Sequence, residues 1–154
     1  MYKDVTCPHC GKTFETYCNP VPTVDMLIYQ QGKGVVLIKR KNPPYGWALP
    51  GGFVDCGETV EQAVVREMKE ETDLDVTIQG MLGVYSDPKR DPRMHTMSVV
   101  FIGSTEDPDA LCAGDDAGEA RFFQRGKLPE SIAFDHATIL QDFWRWLDAR
   151  GGVV

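Results

Sequence analysis

Gly52-Phe53-Val54-Asp55-Cys56-Gly57-Glu58-Thr59-Val60-Glu61-Gln62-Ala63-Val64-Val65-Arg66-Glu67-Met68-Lys69-Glu70-Glu71-Thr72-Asp73-Leu74 decides how this chain is read. The pattern predicts a helix from Val60 to about Asp73. Thr59 is a good N-cap, and Gln62, three residues on, completes a capping-box pattern. At about 3.6 residues per turn, Val60, Ala63, Val64 and Met68 define one apolar face. Glu67 and Glu71 fall within that face and Glu70 on its edge, whereas Glu61, Gln62, Lys69 and Thr72 take the far side.

Carboxylates packed against a core lose hydration and repel one another unless something compensates. A hard divalent cation does so most simply, and Mg²⁺ favours carboxylate oxygens and water. Arg66, four residues before Glu70, can brace that acid at helical spacing. Periodicity alone leaves two readings open: a cation site, or a charged surface helix with an imperfect apolar stripe.

Spacing favours the first. Gly52, Glu58, the Arg66-Glu67-Met68 triplet, Glu70-Glu71 and Asp73-Leu74 together resemble the Nudix box, a loop-helix-loop whose glutamates hold metal ions on a diphosphate. Asp73 stands where that family usually has glycine, at a position after the helix that calls for a left-handed backbone. The resemblance implies an α/β fold of the Nudix type, an α/β/α sandwich with a mixed sheet. It also implies a hydrolase that uses Mg²⁺, with Mn²⁺ able to substitute. Glu67, Glu70 and Glu71 are then the metal ligands, with a backbone carbonyl at Gly51 or Gly52. Arg66 orients a glutamate, and Glu58 is a second-tier candidate.

Outside the box, Gly83-Val84-Tyr85-Ser86-Asp87-Pro88, Arg90-Asp91-Pro92-Arg93, His95-Thr96, Gly114-Asp115-Asp116-Ala117 and Phe134-Asp135-His136-Ala137 resemble ADP-ribose pyrophosphatases of that superfamily. The substrate expected is ADP-ribose, a small nucleotide-sugar, cleaved to AMP and ribose 5-phosphate. NADH or (d)NTP pyrophosphohydrolysis is the alternative, and a nucleotide-sensing, non-catalytic Nudix module is a rival of another class. A dead sensor should have lost metal glutamates, and this chain keeps them. Arg40, Arg93 and Asp116 are candidate substrate contacts. The base that activates water is expected either in the box or in the later acidic loop, where Asp115, Asp116 and Glu119 stand out. Related ADP-ribose enzymes are often homodimers, so a homodimer is expected by analogy.

Around this centre, residues 1 to 20 form a small cysteine-containing appendage and residues 21 to 154 the hydrolase domain. Cys7-Pro8-His9-Cys10-Gly11 looks like half of a zinc ribbon, with Cys18 as a third candidate ligand. A structural zinc wants four ligands and no second CxxC follows, so a degenerate site is the expected reading. Strands are expected at Thr23 to Gln30 and Val35 to Arg40, joined across Gly32-Lys33-Gly34, with Trp47-Ala48-Leu49 a short strand. Further strands are expected at Val76 to Tyr85, His95 to Gly103 and Glu119 to Gln124. A last helix should run from His136 to Ala149, with Ile139, Leu140, Phe143, Trp144 and Leu147 on one side.

Composition bounds the partners. A net charge of -7 argues against a nucleic-acid backbone, although bridging cations still allow a phosphate substrate. No apolar run approaches the ~20 residues of a membrane span, and the first residues lack a secretory apolar stretch, so the cytoplasm is the expected compartment.

Overall fold

The computed structural model describes residues 1–154 apart from 115, 116 and 153. The strands are β1 (Tyr2–Thr6), β2 (Thr13–Tyr17), β3 (Val21–Gln30), β4 (Gly34–Arg40), β5 (Trp47–Ala48), β6 (Gly51–Phe53), β7 (Thr77–Tyr85), β8 (Thr96–Ser104) and β9 (Ala117–Phe123). The helices are α1 (Val60–Thr72) and α2 (His136–Ala149). Among the described residues, β3 to β9 make one sheet with the path β5-β4-β3-β8-β7, β6 joining β3 and β9 joining β4. It is mixed: β3 runs parallel to β8, and the other pairings are antiparallel.

The two helices cover opposite faces of this sheet, and strand alternation sorts the side chains between them. Val24, Met26 and Ile28 of β3, with Val36 and Phe101, pack with Ala63, Val64 and Met68 of α1. Leu27 of β3, with Val35, Leu37, Val100 and Ile102, packs with Ile139, Leu140, Phe143, Trp144 and Leu147 of α2. A fully buried side chain such as Phe143 is worth about 1.5–3 kcal/mol of hydrophobic stabilisation. Asp25 has the parity of Leu27, so its carboxylate is buried on the α2 side. Ser98 and Thr96 of β8 share the parity of Val100 and are buried as well.

The expected helix forms with its full capping box: Gln62 N–H donates to Thr59 Oγ1 at 3.3 Å, and Thr59 N–H to Gln62 Oε1 at 2.8 Å. Asp73 caps the other end at φ 55, in the left-handed region its position called for. Two side chains depart from the expected faces. Thr72 is fully buried rather than solvated, because its hydroxyl donates to the Met68 carbonyl of its own helix. Val60, expected in the apolar face, is only half-buried. The boundaries of β7, β8 and β9 shift from expectation by one or two residues. Gly51–Phe53 is a short strand because it pairs with Thr23–Asp25 of β3.

The N-terminal segment is a two-stranded antiparallel hairpin, β1 with β2, whose residues are mostly exposed. Among the described residues no helix is long and apolar enough to cross a membrane.

Candidate active site

A cleft of about 460 Å³ opens where α1, β6, the end of β4 and the start of α2 meet, within the usual size range of small-molecule sites. Glu67, Glu71, Gly51, Gly52, Arg40 and Arg93 all line it. Residues that are 53 positions apart in sequence thus converge on one space.

On the acidic wall, Glu71 accepts a 2.8 Å hydrogen bond from the Gly51 amide. Burial pushes its carboxyl up to about 8, a rise that this amide only partly offsets and that the charges of Glu67 and Asp25 add to. Burial also pushes Glu67 above the ordinary carboxylate range, against the opposing pull of Arg66. Glu67 lies directly over Gly52: a Cβ there would sit 2.4 Å from Glu67 Oε1. The missing side chain at Gly52 is therefore what lets the carboxylate reach the loop.

Arg66 organises the outer acids. It donates to both oxygens of Glu58 at 2.6 and 3.1 Å, to Glu67 at 2.9 Å and to Glu70 at 3.1 Å. It also donates to the Phe53 carbonyl at 3.1 Å. The Arg66–Glu70 pair is the brace expected at helical spacing. Glu70 itself is 57% exposed and stands outside the lining of the cleft. Glu58 is a partner of Arg66 that helps to aim it.

Two raised carboxyls, an open side and backbone carbonyls nearby form an all-oxygen donor set whose burial Arg66, paired with Glu67 alone of the two, only partly offsets. This fits a hard divalent cation that keeps several of its waters. Among the described residues no three acidic, histidine or cysteine side chains form a closed cation cage.

The basic wall carries Arg40 and Arg93. Arg40 is half-buried, donates to the Pro44 carbonyl at 2.8 Å, and has no carboxylate partner among the described residues. Burial, then the charge of Arg93, holds Arg40 below its ordinary value. Arg93 is held in a two-point pair by Asp91 at 2.7 and 3.0 Å. Both guanidiniums lie against the Phe134 ring, at 4.7 and 5.3 Å from its centroid.

The inner wall of the cleft is a buried polar cluster, with Asp25, Arg90, Thr96 and His136 in its lining, that residue-by-residue reading of the sequence did not find. Asp25 accepts from Ser98 Oγ, and Arg90 takes Asp135 in two bonds of 2.8 and 2.9 Å while donating to Thr96 at 3.1 Å. His136, assigned no role from sequence, accepts the Leu49 amide on Nδ1 at 2.9 Å. Its proton must then sit on Nε2, which faces Asp25 at 3.5 Å. Burial pushes the His136 value down, so the ring is neutral. The available signal was Asp25 itself, a lone acid interrupting the apolar run Val24 to Ile28.

Other candidates land elsewhere. Glu119 pairs with Arg121 on β9 and does not line the cleft. Asp115 and Asp116 lie outside the described residues. The segment before them is anchored to α1, with Gly114 N–H on the Glu71 carbonyl at 3.1 Å and Cys112 N–H on that of Thr72 at 3.0 Å. A Cβ at Gly114 would sit 1.7 Å from the Glu70 carbonyl oxygen, so glycine is required there. The three-cysteine zinc set is not assembled. Cys18 hydrogen-bonds Met1 at the open end of the hairpin, roughly 17 Å of strand from the Cys7–Cys10 turn. Within that turn, backbone amides of Cys10 and His9 pull the half-buried Cys7 thiol down.

The family model for the NUDIX domain matches residues 19–143. The chain belongs to the Nudix family. It is 53% identical over 137 residues to an ADP-ribose pyrophosphatase of Methanocaldococcus jannaschii, covering 88% of this chain and 79% of that one. A MutT/nudix family protein from Enterococcus faecalis superposes with a TM-score of 0.73 at 33% identity, covering 87% of this chain and 64% of that chain. The NUDIX domain of Shewanella oneidensis NrtR, solved with ADP ribose, gives a TM-score of 0.72 at 25% identity over 85% of this chain and 90% of that one. The two solved Nudix structures superpose on most of this chain, so the sandwich expected from the sequence is the fold this chain has.

Proposed function

We propose that the chain is an ADP-ribose pyrophosphatase, adding water across the diphosphate of ADP-ribose to give AMP and ribose 5-phosphate. The observation that carries this reading is the meeting of two half-buried carboxylates, Glu67 and Glu71, with two arginines, Arg40 and Arg93, in one cleft. Acids suit the cations of a metal-bound diphosphate, and planar guanidiniums suit its oxygens. The substrate is supported by the name of the M. jannaschii relative and by the ADP ribose bound to the S. oneidensis domain.

Glu67 and Glu71, with a carbonyl of Gly51 or Gly52, would hold Mg²⁺, and Glu70 is the further candidate ligand at the edge. When bound, the cation supplies charge neutralisation on the diphosphate and a more acidic water. Arg66 keeps Glu67 and Glu70 in place and offsets their mutual repulsion. Arg40 and Arg93 take phosphate oxygens through their N–H edges. The proton from the attacking water goes to a box glutamate or to Asp115 or Asp116, which follow Gly114 in the sequence. Glu119, outside the cleft, is the weakest of the base candidates.

Purified protein with Mg²⁺, offered ADP-ribose, NADH, diadenosine polyphosphates and dNTPs, tests the reading. The highest kcat/KM should fall on ADP-ribose. A tenfold preference for NADH or a dNTP, on the scale of roughly 1.4 kcal/mol in transition-state binding, overturns the substrate and leaves the family intact. Nucleotide binding without turnover would instead favour a sensing module.

A further inference from the structure

Three consecutive residues at the mouth of α2 reach three different parts of the cleft. The Phe134 ring lies against Arg40 and Arg93, Asp135 grips Arg90, and His136 receives the Leu49 amide. The backbone is bent unfavourably to allow it. Phe134 has φ 58, in the left-handed region that a residue with a Cβ and no locally bonding side chain rarely adopts. Among the described residues only Asp73 shares this among non-glycines, and Asp73 is explained as a helix cap. Glycine would hold the turn at 134 with less strain, so what the chain retains there is the ring.

Arg93 is already held by Asp91, and it is Arg40 that needs such a device. Arg40 and Arg93 are like charges close enough to act on each other, and Arg40 has no carboxylate partner among the described residues to fix it. A guanidinium laid on an aromatic face is attracted by the ring's negative face. Nε and Nη2 of Arg40 donate to the Pro44 and Pro43 carbonyls and those of Arg93 to Asp91, which leaves the Nη1 side of each planar group to receive oxygens.

We propose that Phe134 is a positioning residue for the substrate's phosphates, its ring holding the Arg40 and Arg93 guanidiniums as one anion-receiving wall. This rests on the pyrophosphatase reading for its choice of substrate. The ring also packs beside Ile38, Ala48, Ala117 and Ala133, so a purely structural role must be separated from a positioning one.

Steady-state kinetics on ADP-ribose with Mg²⁺ separates them, comparing the parent with Phe134→Leu and Phe134→Tyr. Phe134→Leu keeps apolar bulk without an aromatic face. It should raise KM roughly tenfold while kcat stays within about threefold and the Mg²⁺ requirement is unchanged. Phe134→Tyr, which keeps the ring, should restore KM to near the parent value. A parental KM in Phe134→Leu, a loss confined to kcat, or an equal KM rise in both variants overturns the proposal. If Phe134→Leu does not fold, Phe134→Met takes its place, keeping apolar bulk without an aromatic face. The same rise in KM is then expected, and an unchanged KM overturns the proposal. A parent that spares ADP-ribose and cleaves another nucleoside diphosphate derivative refutes the substrate alone. The same variants on that compound then decide the role of Phe134 by the same outcomes.

Discussion

The Gly51 amide donates to the Glu71 carboxylate at 2.8 Å, and among the described residues this is the one hydrogen bond that the half-buried acid accepts. One amide does not replace the hydration that burial removes, so the carboxyl is pushed up to about 8. The helix acid and the loop are thereby coupled: whatever neutralises Glu71, a proton or a cation, acts directly beside the Gly51–Gly52 backbone.

This coupling sets a pH dependence. The folded value of Glu71 lies above that of an exposed carboxyl, so between about 4.5 and about 8 the folded chain binds more protons than the unfolded one. Its stabilising contribution is complete at the acid end of that window and is lost as pH rises through it. The melting temperature in EDTA should therefore fall from pH 6 to pH 8 relative to Glu71→Gln. The Mg²⁺-induced rise in melting temperature should grow over the same interval, because cation and proton compete for one carboxylate. Equal pH profiles for parent and Glu71→Gln would contradict this.

Glu67→Gln should separate stability from activity. It removes a carboxylate that burial disfavours and that the charges of Glu70 and Glu58 repel, at the cost of its pair with Arg66, while keeping the shape of the side chain. Without metal, stability should be unchanged or higher by on the order of 1 kcal/mol. Turnover should fall roughly a hundredfold or more, since metal stabilisation of the transition state is worth several kcal/mol. Thermal melts beside the hydrolysis assay read both.

Much of this was legible in the sequence because it is periodic or local. The α2 face, the capping box of α1 and the hairpin of β3 with β4 repeat or cap within a few residues. The buried cluster was not, because Asp25, Arg90, Thr96, Ser98 and His136 come from separate segments and are assembled only by the parallel β3–β8 pairing and the return of α2. Thr72 was misplaced because a hydroxyl can satisfy itself on its own helix, so a polar residue type does not imply solvent. The first strands were obscured by Cys, Pro and Gly punctuation, although Val5 and Phe14 pair across them.

Gly52→Ala should damage the site more than the fold. The new Cβ meets the end of a flexible Glu67 side chain rather than backbone, so Glu67 can move aside. We expect a stability loss of about 1 kcal/mol or less, with turnover reduced at least roughly tenfold by the displaced carboxylate. A variant with parental turnover would show that the Glu67 position over Gly52 is unimportant.

The N-terminal hairpin contributes no residue to the buried core clusters. Deleting residues 1 to 18 should leave Mg²⁺-dependent hydrolysis within a few-fold of the parent. Elemental analysis of the intact protein should show no stoichiometric zinc, since Cys18 is remote from Cys7 and Cys10. Stoichiometric zinc together with unfolding on chelation would reverse this view.

The most direct test of the central claim is chromatographic resolution of the products formed from ADP-ribose by the purified protein, with and without Mg²⁺. The account predicts AMP and ribose 5-phosphate in equal amounts, formed only with the divalent cation and nearly abolished by Glu67→Gln. Intact ADP-ribose in the presence of Mg²⁺, or undiminished cleavage by Glu67→Gln, would contradict it.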